Sequence, residues 1–253
     1  MMGIVPTNRY YFCMQPLPHS IPCVRHVSGK LLGLVALAVL VDCSMPGYSE
    51  PPKPATPPPP VTAAPKSADA KPAAAQSLFD GKTLKGWAVT DFAGKGEVRV
   101  EEGRLILEQG VMTGVTWTSD IPKMNYEVTL DAMRVAGSDF FCGLTFPVGK
   151  DPCSLIVGGW GGGTVGLSTL DGEDAANNET TKYMNFKSGQ WFAVRLRVTP
   201  GKIQAWIDED KVVDVETTGK KLDVRFEMEL SRPFGLASWG TKAALRNIQI
   251  RRL

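Results

Sequence analysis

Apolar and polar positions alternate with period two along much of the chain after Gln76. In Tyr126–Met133, the residues Tyr126, Val128, Leu130 and Ala132 fall on one side of an extended strand, with Glu127, Thr129, Asp131 and Met133 on the other. The stretch Phe192–Val198 repeats the pattern, with Phe192, Val194, Leu196 and Val198 apolar and Arg195 and Arg197 opposite. Thr199-Pro200-Gly201-Lys202 places Pro and Gly where a type II turn requires them. The chain then returns through Ile203–Asp208, and a further turn at Asp208–Lys211 leads into Val212–Val215. This spacing predicts a meander of antiparallel hairpins. No part of the region carries sustained 3.6-residue periodicity bounded by caps, and Asp171–Lys182 holds a helical turn at most. Many short strands divided by turns, without an internal repeat, predict an all-β sandwich or barrel.

Upstream of this region the pattern changes. Leu31–Val41 is a compact apolar run preceded by Arg25 and Lys30, which reads as an export signal; the plainer alternative is a short buried helix. Leu40-Val41-Asp42-Cys43 resembles a lipoprotein processing site, with Cys43 as the lipid anchor, although Asp42 stands where a small residue is usual. An ordinary cleaved signal with an incidental Cys43 fits the same residues. From Pro46 to about Gln76 the chain is Pro, Ala, Lys, Ser and Thr, densest at Pro57–Pro60. Proline fixes φ and lacks a donor, so this segment favours extended polyproline II and reads as a spacer. The organisation expected is a signal over 1–43, a linker over 44–76 and one folded domain over 77–253. That predicts an exported protein of the periplasm, envelope or exterior, touching a membrane only through its signal or lipid.

Composition narrows the chemistry. The net charge of +2 is built from mixed signs, which argues against nucleic acid as a partner. The two histidines, His19 and His26, both precede the apolar run. The domain therefore has no imidazole, which excludes a Ser-His-Asp triad and a His-ligated metal there; acid–base work falls to Asp, Glu, Tyr or Lys. Cys142 and Cys153 flank a turn near Gly149. That register puts Phe146 opposite Cys153 and Cys142 opposite Val157, which offsets the sulfurs along the strands and predicts two buried free thiols rather than a bridge.

Several residues are candidates for binding or catalysis. Asp131, Arg195, Arg197 and Trp206 fall on the polar side of predicted strands, where an indole suits the apolar face of a sugar ring. A solvated sheet surface with cross-strand pairs, and Trp206 packed under a loop, are the plainer readings. Trp160 stands among Gly158, Gly159, Gly161, Gly162 and Gly163, either as a stacking platform at a strand end or as a core residue in a bulged strand. The glycines lack phosphate-loop spacing. Asp171, Glu173 and Asp174 form an oxygen-rich loop that suits Ca²⁺, a cleft border or plain solvation; no other metal or cofactor is implied. Glu227 and Glu229, if extended, share a face about 6.6 Å apart, a spacing open to two-carboxylate glycoside chemistry or to a charged outer strand. Asp171, Glu173 and Glu227 are thus the candidate catalytic carboxylates.

Leu78-Phe79-Asp80-Gly81-Lys82, followed by Leu84 and Gly86-Trp87, resembles the opening of the 3-keto-disaccharide hydrolase-like domain family. Phe234-Gly235-Leu236 and Gly240, with Leu245–Ile250, resemble its end. The resemblance implies a secreted, antiparallel two-sheet sandwich, a jelly roll like that of concanavalin A. It also implies cleavage of glycosides bearing a 3-keto group, in which the ketone acidifies the neighbouring C–H and the anomeric substituent leaves by elimination. Many members carry a turn like Gly-Leu-Gln-Asp-His-Gly; here those positions read Gly235-Leu236-Ala237-Ser238-Trp239-Gly240. The Tyr-Glu pair of other members is not evident around Cys153–Ile156. Three functions stay open: a glycoside hydrolase with a rearranged site, a non-catalytic glycan-binding module using Trp160, Trp206 and Trp239, and an envelope scaffold domain. A monomer with a carbohydrate or glycoside as its partner is expected.

Overall fold

A computed structural model describes residues 74–253. The apolar run Leu31–Val41, Cys43 and the proline-dense stretch Pro57–Pro60 lie outside the described residues. Among the described residues the strands are, in chain order, β1 (Gln76–Ser77), β2 (Trp87–Val89), β3 (Val98–Glu101), β4 (Arg104–Leu107), β5 (Met112–Trp117), β6 (Tyr126–Gly137), β7 (Cys142–Val148), β8 (Asp151–Gly159), β9 (Thr164–Ser168), β10 (Lys182–Tyr183), β11 (Trp191–Thr199), β12 (Lys202–Ile207), β13 (Asp210–Glu216), β14 (Gly235–Trp239) and β15 (Thr241–Arg252). One 3-10 helix, Phe226–Ser231, lies between β13 and β14. The first strand takes in Gln76, which composition alone assigns to the linker.

Two antiparallel sheets face each other in a jelly-roll sandwich. One runs in the order β13-β12-β11-β6-β15-β4-β3, with β1 added against β15; the other runs β10-β9-β8-β7-β14-β5-β2. The alternation read from the sequence fixes the inner face of the first sheet. Tyr126, Val128, Leu130 and Ala132 of β6 and Phe192, Val194, Leu196 and Val198 of β11 are all buried there. They meet Leu144, Phe146, Leu155, Val157, Leu167 and Leu236 from the second sheet. Each of the Val, Leu and Phe side chains among them contributes about 1.5–3 kcal/mol when fully withdrawn from water, so this layer carries much of the stability of the fold. Gly201 has φ 74, as the type II turn demands.

The β7–β8 hairpin turns at Gly149, with Cys142 opposite Val157 and Phe146 opposite Cys153. Both thiols are free and buried. Burial pushes each thiol up to about 12, so neither is a thiolate at neutral pH.

The N-terminal signature is a structural staple. Leu78 and Phe79 enter the core, and the Trp87 indole N–H donates to the Leu78 carbonyl at 2.8 Å. Asp80 Oδ1 accepts the backbone N–H groups of Lys82 and Thr83 at 2.8 and 2.7 Å, and Oδ2 accepts the Thr83 hydroxyl at 2.7 Å. The Thr83 and Lys82 amides hold the Asp80 carboxyl down at about 2.

The extended geometry supposed for Glu227 and Glu229 does not hold. Both lie in the 3-10 helix, where residues two apart diverge around the axis, so they neither share a face nor edge a sheet. Glu229 pairs outward with Arg232 at 2.8 Å, while Glu227 turns toward Arg225.

Candidate functional site

The outer face of the second sheet is not solvated. Met112 on β5, Ile156 on β8 and Ala237 on β14 form a second apolar cluster with Phe92, Phe140, Ala175, Val224 and Met228. The 3-10 helix and the loop through Ala175 thus lie over this face, and β7, β8 and β9 are buried on both sides. Between these coverings a groove of about 200 Å³ remains open. Its apolar walls are Met112, Phe140, Ile156, Trp160, Met228 and Trp239, and its polar groups are Asp139, Ser168, Arg225 and Glu227.

Two tryptophans reach this groove by different local means. Trp239 ends β14, two residues on from Ala237, so alternation puts both on the outer face. Its ring lies 6.5 Å from that of Phe140. Trp160 begins the turn between β8 and β9, with φ 47 in the left-handed region that side-chain-bearing residues rarely adopt. A register shift between Val157 and Gly159 bulges the strand just before it. The residue is 42% exposed, which removes the core alternative for Trp160.

Arg134 holds this turn from beneath. Its guanidinium is buried at the end of the sandwich and donates to the carbonyls of Gly158 (3.1 Å), Gly162 (2.7 Å), Asp139 (3.2 Å) and Phe186 (3.2 Å). It also stacks 5.0 Å from the Phe141 ring centre. Gly158, with φ 80, leaves the space it needs: a Cβ there would sit 2.5 Å from Arg134 Nη2.

The polar side of the groove is an ion-pair network. Arg225 donates to Glu227 through Nε (3.2 Å) and Nη2 (2.9 Å), and to Asp174 Oδ2 through Nη1 (2.8 Å). Its guanidinium also stands 5.8 Å from the Trp160 ring centre. Burial pushes the Glu227 carboxyl up, but the Arg225 hydrogen bonds outweigh it and leave Glu227 below the ordinary carboxylate range. At neutral pH Glu227 is therefore an anion, an acceptor for hydroxyls and not a proton donor. Asp139 Oδ1 accepts the Phe140 N–H at 2.7 Å. Ser168 is buried, and its hydroxyl has no hydrogen-bond partner among the described residues.

Of the residues singled out by sequence, Trp160, Trp239 and Glu227 converge here. Asp131, Arg195, Arg197 and Trp206 lie instead on the outer face of the other sheet. Arg197 pairs with Glu127 at 2.8 Å, and Asp131 accepts from Arg246 at 3.0 Å. Arg195 covers Trp206 at 3.9 Å, so that indole is occupied by a guanidinium rather than a loop. Asp171 and Glu173 are exposed on a loop that does not line the groove. Asp171 Oδ1 accepts the Lys221 N–H at 2.8 Å, and Asp174 Oδ1 accepts the Ala176 N–H at 3.0 Å. Among the described residues no three His, Cys, Asp or Glu groups stand together as a metal ion would need.

Asp139 and Arg225 are not marked by any spacing in the sequence. The only signal for Arg225 is its place two residues before Glu227, which becomes meaningful once the 3-10 helix is known.

The fold and groove define a jelly-roll sandwich with an aromatic-walled, carboxylate-bearing cleft on one outer face. The chain belongs to the family of 3-keto-alpha-glucoside-1,2-lyase-like domains, whose sequence profile matches residues 74–251. Similar solved structures include the Crh5 transglycosylase in complex with NAG, at 14% identity and TM-score 0.49 over 72% of this chain and 85% of that one. The carbohydrate-binding module CBM66 from Bacillus subtilis is similar at 14% identity and TM-score 0.42, over 66% of this chain and 95% of that one. A protein of unknown function with a galectin-like fold, also from Bacillus subtilis, is similar at 11% identity and TM-score 0.46, over 71% and 94%. No curated protein matches the chain.

Proposed function

We propose that this domain binds a carbohydrate in the groove between Trp160 and Trp239, and that binding rather than bond cleavage is its function. The observation that carries the reading is the convergence of two tryptophans and the Arg225–Glu227 pair on one open cleft. Indoles offer flat apolar faces to pyranose C–H groups, while a fixed carboxylate and guanidinium accept from and donate to hydroxyls. Family membership supports a sugar as the ligand. The positions that match the family's polar turn support loss of its chemistry. Ala237 and Trp239 line the outer face where Gln and His stand in other members, and Ser238 turns away to donate to the Thr241 carbonyl at 2.9 Å.

The second reading, cleavage of 3-keto-glycosides, rests on family membership and on one carboxylate, Glu227, in the cleft. Its pairing with Arg225 makes it a weak base, since stabilising the anion lowers its proton affinity. Calorimetric titration of the protein with arrayed glycans that bind should show a loss of about tenfold or more for Trp239→Ala, on the order of 1.4 kcal/mol. Unchanged affinity in that variant refutes the groove as the site. Turnover of a 3-keto-glucoside that disappears in Glu227→Gln would instead establish the catalytic reading.

The proposal includes an exported domain, with Leu31–Val41 as its signal, Cys43 as a lipid attachment point and the proline-dense segment as a spacer. Labelled fatty acid should enter the wild-type protein and not the Cys43→Ser variant; equal uptake by both refutes the anchor.

A further inference from the structure

The groove does not end at Trp160. The four-residue turn from Trp160 to Gly163 also borders a second cavity, lined by Gly161, Gly162, Gly163, Tyr183 and Asn185 over the buried Arg134. Trp160 and Gly161 are adjacent, with Cα atoms about 3.8 Å apart, so both cavities border this one short ridge. Size separates a short ligand from a long one. The groove holds about 200 Å³, below the roughly 300–1,000 Å³ of sites that enclose a small ligand; the second cavity adds about 370 Å³. A ligand that uses the site fully must cross the ridge.

The second cavity has the surface for such a ligand. Tyr183 is 76% exposed, more so than Trp160 at the ridge. Asn185 is exposed, and its amide can donate to and accept from hydroxyls. The lining also includes three glycines without side chains, and Gly161 has open space where a Cβ would stand. The ridge itself is fixed, because Arg134 ties the Gly158 and Gly162 carbonyls together from below. A rigid ridge with an aromatic on each side suits a chain of rings, one ring stacked at each, rather than a single ring.

Resting on the carbohydrate-binding reading above, we infer that the ligand is a glycan chain of at least two to three sugar residues that runs over the Trp160–Gly163 turn. One residue sits between Trp160 and Trp239, and the next lies against Tyr183 with Asn185 bonding its hydroxyls.

The test is calorimetric titration of the intact protein with cello- and malto-oligosaccharides of one to six glucose units. Affinity should rise about tenfold or more between the monosaccharide and the trisaccharide in one of the two series. Tyr183→Ala, a change at an exposed position that leaves the core untouched, should remove that gain and leave monosaccharide affinity unchanged. Trp239→Ala should weaken every length. Affinity that is flat with length, or a length dependence untouched by Tyr183→Ala, overturns the chain inference and leaves the groove reading standing. Absence of binding at every length in both series overturns both together.

Discussion

Replacing Arg134 by Met probes the device that aims Trp160. The guanidinium makes four bonds to carbonyls, three of them, to Phe186, Gly158 and Gly162, in buried surroundings. A hydrogen bond with a charged partner contributes about 1.5–3 kcal/mol, so the three buried bonds sum to roughly 4.5–9 kcal/mol gross. Against this stands the cost of burying a cation, several kcal/mol, and no carboxylate forms a salt bridge with Arg134 among the described residues. Burial indeed holds the Arg134 pKa below its ordinary value, with Asp139 opposing. The methionine removes both terms but leaves buried carbonyls without donors, so a net loss of about 3 kcal/mol is expected. With a urea slope of about 2 kcal/mol per molar, the unfolding midpoint should fall by about 1.5 M at unchanged slope. Limited proteolysis of the native variant should open first between Gly158 and Gly163, since those two carbonyl anchors are lost. Arg134→Lys should fall between wild type and Met, because one ammonium cannot span four acceptors. A midpoint shift under about 0.5 M in the Met variant refutes the reasoning, since desolvation would then have cancelled the bonds.

Three further outcomes follow from buried or bonded side chains elsewhere in the domain. Glu127 is buried and accepts paired bonds from Arg197 and Arg251. Burial pushes its carboxyl up, but the arginines prevail and hold it below the ordinary 4.5. Its stabilisation is therefore full above that value and is lost as pH falls through the lowered one; Glu127→Gln should cost about 2–4 kcal/mol at pH 7 and flatten the acid limb of stability, which urea titrations at pH 7 and pH 3 compare. Asp80, held at about 2 against an ordinary 3.8, should stabilise the N-terminal staple above pH 3.8 and lose that effect as pH falls through about 2. The protection factor of the Thr83 amide should fall over that window, and a pH-independent protection factor refutes the assignment. Peptide mapping after iodoacetamide should find Cys142 and Cys153 unlabelled in native protein and both labelled in denaturant, since both thiols are buried and neutral. A cross-linked peptide containing both would contradict the hairpin register.

The alternation in β6 and β11 was legible because these strands border solvent on one face only, so period-two patterning records burial directly. The hairpin register, and with it the offset thiols, followed from one glycine turn. The family's opening motif marked the fold and not the chemistry, since its Asp80 is spent on backbone amides. The groove was legible only in fragments. Trp160 stood out among glycines and Trp239 at the family's turn, but β7, β8 and β9 are buried on both faces and give no alternation to read. Their outer face is closed by segments far away in sequence: the 3-10 helix that carries Glu227, and the loop that brings Asp174 to Arg225 across 51 residues. The same polar pattern that nominated Trp206 and Asp131 placed them on the opposite side of the sandwich, where arginines occupy them.

Local sequence decided what each strand would bury, because a side chain's face is set by its parity along an extended backbone. Which outward faces meet a covering loop, and so which residues share a cleft, was decided by the stacking of two sheets and by contacts between distant segments. No period in the chain encodes those contacts.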